Sequence, residues 1–164
     1  MFFRLLLACG LTIASFSALA QTVDYSDEID SQVWAPFSEG YETHNTDLYF
    51  SILTDDFVSV SVPGGTIDHG SHWRSNTIQR FARVKETGMS GKFTFRFNHR
   101  IHSSDVAYEK GVYRLDISRA DGTTAVNYGA FDVVLVKENE RWKIRLDANS
   151  VATEADYLAA NGTK

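Results

Sequence analysis

Cysteine is almost absent: the 164 residues hold one, Cys9. That excludes an intrachain disulfide and a multi-thiolate metal centre. Proline is scarce, at two residues, and no run of Lys or Arg breaks a formal charge of −5. Nucleic-acid binding draws on clustered positive charge, so no nucleic-acid partner is expected. There is no Gly-rich phosphate loop and no G-x-S-x-G elbow: Pro63-Gly64-Gly65 reads as a turn, and Gly88 and Gly91 are too sparse. Internal repeats and low-complexity segments are also missing. What is present is ordinary for a globular chain, 43% hydrophobic and 23% charged, which excludes disorder, collagen and coiled coil. The length suits one domain with a real core.

The first twenty residues stand apart. MFFRLLLACGLTIASFSALA places Arg4 before an apolar run from Leu5 to about Phe16, then ends in Ala18-Leu19-Ala20, an A-x-A cleavage pattern. The run is too short for a permanent bilayer span. Residues 1–20 therefore read as an export leader cut after Ala20. The competing readings are a buried N-terminal helix and a lipoprotein signal ending at Cys9. Cleavage would remove the one cysteine and Arg4, taking the formal charge from −5 to −6. The product is expected to be periplasmic or secreted, with no membrane partner. Residues 21–26 read as a flexible N-terminus, 27–151 as the domain, and 152–164 as a C-terminal tail. The Asn161-Gly162-Thr163 sequon reads as chance at a frayed end.

Ser26, followed by Asp27 and Glu28, is a helix start, and Ile29, Val33, Phe37 and Tyr41 draw one apolar stripe. Pro36 implies either a kink or a second helical segment. Asn45 or Thr46 can cap a short helix through Leu53, which Thr54-Asp55-Asp56 ends. Phe57–Val62 alternates with period two and reads as a strand, with Thr66-Ile67-Asp68 as a short return. A third helix follows Gly70-Ser71, with Trp73, Thr77, Ile78, Phe81 and Val84 inward, and Gly88 stops it. Beyond Gly91 the period is two. Phe93, Phe95, Phe97, His99 and Ile101 fall on one face of a long strand. Val106 to Arg119, Thr124 to Lys137 and Arg141 to Ser150 complete a four-strand meander. The tail from Ala152 to Ala160 can form a helical turn or two. The order predicts an α+β domain whose long strands bend into a sheet with a concave face.

Three weak motifs in order carry a family resemblance. They are Thr54-Asp55-Asp56-Phe57-Val58-Ser59-Val60 with Pro-Gly-Gly and Asp68-His69-Gly70, then Asp105 to Tyr113, then Glu140-Arg141-Trp142-Lys143-Ile144. Over residues 27–151 the chain resembles the nuclear transport factor 2-like superfamily, in its bacterial polyketide-cyclase-like (SnoaL-like) branch. The resemblance implies a cone-shaped α+β fold: a curved antiparallel or mixed sheet with about three helices covering its concave face. It also implies a homodimer, with a pocket between helices and sheet. It does not choose among isomerases, dehydratases, cyclases, hydrolases and binding modules. The ketosteroid isomerase pattern departs here: its proton-abstracting Asp would fall at Ser61 and its oxyanion-stabilising Tyr at Phe37. Neither residue can do that work.

Candidate site residues follow from the strand faces. His99 interrupts an aromatic stripe and reads as a pocket base or ligand contact, or as a buried or solvent-facing histidine. Glu109 shares a face with Tyr113 and Leu115. It is either an inward carboxylate raised by burial or, the favoured reading, an outward ion pair to Arg96 or Arg100. Asp147 and Asn149 close the last strand near the pocket mouth, where bulges make parity a weak guide. Tyr41, Tyr113 and Tyr128 could bring hydroxyls to the pocket, Phe97 its aromatic wall, and Trp73 packing or a wall. His69-x-x-His72 lacks further ligands and His99-x-x-His102 points to opposite faces, so no metal is expected and no cofactor. Two readings result. One is a binding domain for a small apolar or aromatic molecule. The other is a metal-independent enzyme using a His–carboxylate pair: His99 with Asp147 or Glu109.

Overall fold

The computed structural model describes residues 23–160, so the leader and the sequon lie outside the described residues. The first helix, α1, is continuous through Ser26–Ile29, a wider π-helical turn at Asp30–Trp34, and Ala35–Glu42. Pro36 explains the turn. It cannot donate to the carbonyl four residues back, and its ring would clash there. The π turn, closed by Ala35 N–H on the Asp30 carbonyl, opens the spacing just ahead of it. The chain stays helical through this point, and Pro36 sits in the first turn of the α-helical segment Ala35–Glu42, which matches the second of the two expectations. Ile29, Val33 and Phe37 are buried and Tyr41 is half-buried.

Asn45 caps α2 (Thr46–Ser51) by accepting the Leu48 N–H at 3.1 Å. Strand β1 (Leu53–Ser61) starts earlier than expected, because Leu53 already pairs with the last strand and Thr54 is fully buried. Thr54-Asp55-Asp56 is therefore strand rather than helix end. β2 (Thr66–His69) returns beside it, and α3 (Gly70–Glu86) follows. Thr77 and Phe81 are the buried face of α3, while Ile78 is 48% exposed. One helical position away from that narrow i, i+4 stripe already faces outward. β3 (Ser90–His102), β4 (Val106–Ser118), β5 (Thr124–Glu138) and β6 (Arg141–Val151) form the meander. A short helix, α4 (Glu154–Ala159), closes the described chain with a Thr153–Asp156 capping box.

The sheet order is β2-β1-β6-β5-β4-β3, antiparallel except where β1 runs parallel to β6. Strands this long twist and coil, and α1 fills the hollow side. Its Ile29, Val33 and Phe37 share one core with Phe131, Val133 and Ile144 of the sheet.

Two bulges re-aim the inner face. The first shifts register between Phe97 and His99 on β3, opposite Gly111. A Cβ at Gly111 would run into the Arg96 carbonyl oxygen, so this close approach needs glycine. Before the bulge Phe93, Phe95 and Phe97 join the core. Beyond it parity reverses: His99 and Ile101 are exposed, while Arg100 and His102 point inward. The expected inward placement of His99 and Ile101 does not hold. The second bulge lies opposite Val134 and Leu135, between Ile144 and Leu146 of β6. It lets Ile144 and Asp147, three residues apart, serve the same face.

Candidate functional site

Register places Glu109, Val133 and Asp147 directly opposite one another across β4, β5 and β6. Residues so paired point to one face. The inner face therefore carries two carboxylates in one row, separated by a valine.

Asp147 opens onto a cavity of about 210 Å³ between the helices and the sheet. Its walls are aromatic: Trp34 and Phe37 from α1, Phe93 and Phe95 from β3, and Phe131 from β5. Trp34 lies 4.7 Å from the Phe95 ring centroid and 5.1 Å from that of Phe131, while Phe93 and Phe95 stack at 5.6 Å. Polar groups reach the cavity from every side: Tyr41, Tyr49, Arg80, Tyr113, Asp147 and Asn149. Gly129 opposite Tyr113 leaves room for the phenol, because a Cβ there would overlap its ring.

The Asp147 Oδ1 is buried and has no hydrogen-bond partner. Burial raises its carboxyl to about 6, against a smaller opposing contribution from Asn149. Burial also raises the Tyr49 phenol, with the Asp147 charge adding to it. The Tyr113 phenol is raised for the same two reasons, and Tyr41 adds a third contribution. Both tyrosines are therefore protonated, donor-capable hydroxyls at neutral pH.

Glu109 is fully buried and fully engaged. Trp34 Nε1 donates to Oε2 at 2.6 Å, and Arg100 Nε donates to Oε1 at 2.8 Å. His102 Nε2 lies 2.9 Å from Oε1, where it can donate to the carboxylate, while its Nδ1 lies 3.4 Å from both the Tyr25 nitrogen and Asp24 Oδ1. Arg100 also bonds Asp30 at 2.6 Å. The favoured outward placement of Glu109 is thus corrected: it points inward, yet still pairs with Arg100. Arg96 lies on the other face, bonded to the Tyr157 carbonyl at 3.0 Å.

Of the sequence-derived candidates, Tyr41, Tyr113, Asp147 and Asn149 meet at the cavity. The rest do not. His99 is exposed, with Nδ1 3.1 Å from the Asn98 carbonyl, so no His99–carboxylate pair forms. Phe97 is buried core beside Trp34, with the Arg100 guanidinium 4.1 Å above its ring. Trp73 packs on Phe57 at 4.7 Å, outside the cavity wall. Tyr128 stands on the opposite sheet face, against Tyr157 at 5.6 Å, and donates to Glu154 at 3.1 Å. Ser61 accepts the Gly64 N–H, and Phe37 is wall only. Tyr49 and Arg80 were not singled out by sequence, because helical periodicity separates inward from outward positions but does not mark which of them border a cavity. Among the described residues no three His, Cys, Asp or Glu side chains gather as a metal site.

No family model and no curated protein matches the chain. Solved structures do. A ketosteroid isomerase-like protein from Erwinia carotovora atroseptica is similar at 16% identity and TM-score 0.59, covering 79% of this chain and 98% of that one. Aln2 from a Streptomyces species is similar at 12% identity and TM-score 0.66, covering 80% and 94%. An NTF-2-like protein of unknown function from Shewanella oneidensis is similar at 21% identity and TM-score 0.56, covering 76% and 98%. These likenesses show the nuclear transport factor 2-like fold.

Proposed function

We propose that the cavity binds a small, largely apolar aromatic molecule and holds its hydrogen-bond donor on Asp147. The carrying observation is the buried, partnerless Oδ1 in an aromatic enclosure. A buried acceptor without a partner is costly, and a ligand hydroxyl or N–H relieves that cost. Aromatic walls supply area, and the carboxylate supplies orientation. The test is calorimetric titration at pH 8 with p-cresol and toluene, which differ by one hydroxyl. Wild type should favour p-cresol by about tenfold, the worth of one charge-assisted hydrogen bond. Asp147→Leu should erase that preference. Equal affinities in wild type would refute the reading.

A second reading, proton transfer at the same carboxylate, is favoured by titration near neutral pH. It replaces the His–carboxylate pair with Asp147 alone. Turnover of a substrate would then rise with pH through about 6. A rate indifferent to pH there, or retained in Asp147→Asn, would sink it.

A further inference from the structure

Arg80 faces two hollows. One is the aromatic cavity; the other is an open shelf of about 320 Å³ between α3 and the β1–β2 hairpin. The two adjoin, because Ser59 of the shelf pairs across β1–β6 with Asp147 of the cavity. Arg83, three residues on, lines the shelf from the same helix face. Thr66 and Asn76 add polar groups, and Trp73 forms an apolar side.

Both guanidiniums are exposed, and among the described residues neither has a hydrogen bond or ion pair; Arg80 overlies the Phe81 ring at 5.7 Å, and its charge opposes the rise of the Tyr49 phenol. Arg96, Arg100 and Arg114 are held by carbonyls or carboxylates. The shelf's one carboxylate, Asp68, is already engaged: His72 Nδ1 lies 2.8 Å from it and the His69 N–H donates at 3.0 Å. Two guanidiniums without a hydrogen bond or ion pair therefore line the shelf beside the aromatic cavity, and Arg80 borders both, in a chain of net negative charge. Guanidinium forks match oxyanions in shape as well as in charge.

We propose that the shelf is an oxyanion subsite, so that the ligand is an aromatic molecule with a donor at its buried end and an anionic group at the mouth. The proposal rests on the cavity reading and names its ligand class. The probes are 3-(4-hydroxyphenyl)propanoate, its amide and 3-phenylpropanoate, titrated by calorimetry at pH 8 and low salt. Wild type should bind the hydroxylated acid about tenfold tighter than the amide, with the margin shrinking as salt is added. Arg80→Gln/Arg83→Gln, two exposed substitutions, should abolish that margin while keeping the preference for the hydroxylated acid over 3-phenylpropanoate. Equal binding of acid and amide in wild type would overturn the subsite and leave the cavity reading standing. A margin that survives in the double variant would overturn it as well. Binding of none of the probes at millimolar concentration would overturn the cavity reading and the subsite with it.

Discussion

Glu109 and Asp147 stand in the same inward row, two strands apart, roughly 10 Å by the usual strand spacing. One has a partner for each oxygen; the other has an oxygen with none. The difference lies in what surrounds them. The π turn in α1 ends at Trp34, and the β3 bulge swings Arg100 and His102 inward. Both irregularities deliver donors to Glu109. No such set of donors reaches Asp147: polar groups line its cavity, yet Oδ1 has no hydrogen-bond partner. An inward carboxylate belongs to the scaffold where the fold supplies its donors, and to the site where it leaves one out.

The largest expected effect breaks the saturated side. Glu109→Ala removes the buried anion that holds Arg100, which is 7% exposed and would keep Asp30 and the Ser26 carbonyl, and it leaves Trp34 Nε1 and His102 Nε2 without their acceptor. Unpairing a buried charge costs about 3–5 kcal/mol. Urea denaturation should report a loss of that order; a loss under about 1 kcal/mol would erase the contrast between the two carboxylates. The next effect has the opposite sign. The Asp147 carboxyl is higher in the folded chain, about 6 against 3.8, so the native state binds the proton more tightly than the unfolded chain. This group's contribution to stability therefore falls as pH rises from about 4 to 6, and the deficit persists above. Asp147→Asn escapes it. At pH 8 the variant should be more stable by about 1–3 kcal/mol, the lower end reflecting contact with cavity water, at roughly 1.4 kcal/mol per pKa unit. The gap should close near pH 4, and a variant less stable at pH 8 would contradict the account. The smallest effect tests the corrected histidine. His99→Ala should shift stability by no more than about 0.5 kcal/mol and leave p-cresol binding unchanged. A clear loss of binding would return His99 to the site.

Most of the scaffold was legible. The period-two runs located β3 to β6, the stripe of Ile29, Val33, Phe37 and Tyr41 located α1, and Asn45 marked the cap of α2. Those signals are local. What escaped was set by irregularities. Parity carried across the Phe97–His99 bulge put His99 inside, whereas the tight approach at Gly111 puts Arg100 and His102 there. On β6 the allowance for bulges was sound, and one places Asp147 inward. Arg80 escaped for another reason: its helix face looks solvated in sequence, and only the tertiary arrangement makes it border the cavity.

The most direct measurement is a carbon-13 NMR titration of the Asp147 carboxyl, with and without p-cresol. The account predicts a midpoint near 6 in the free protein, falling when the phenol donates to the carboxylate. A midpoint near 4 that p-cresol leaves in place would contradict it.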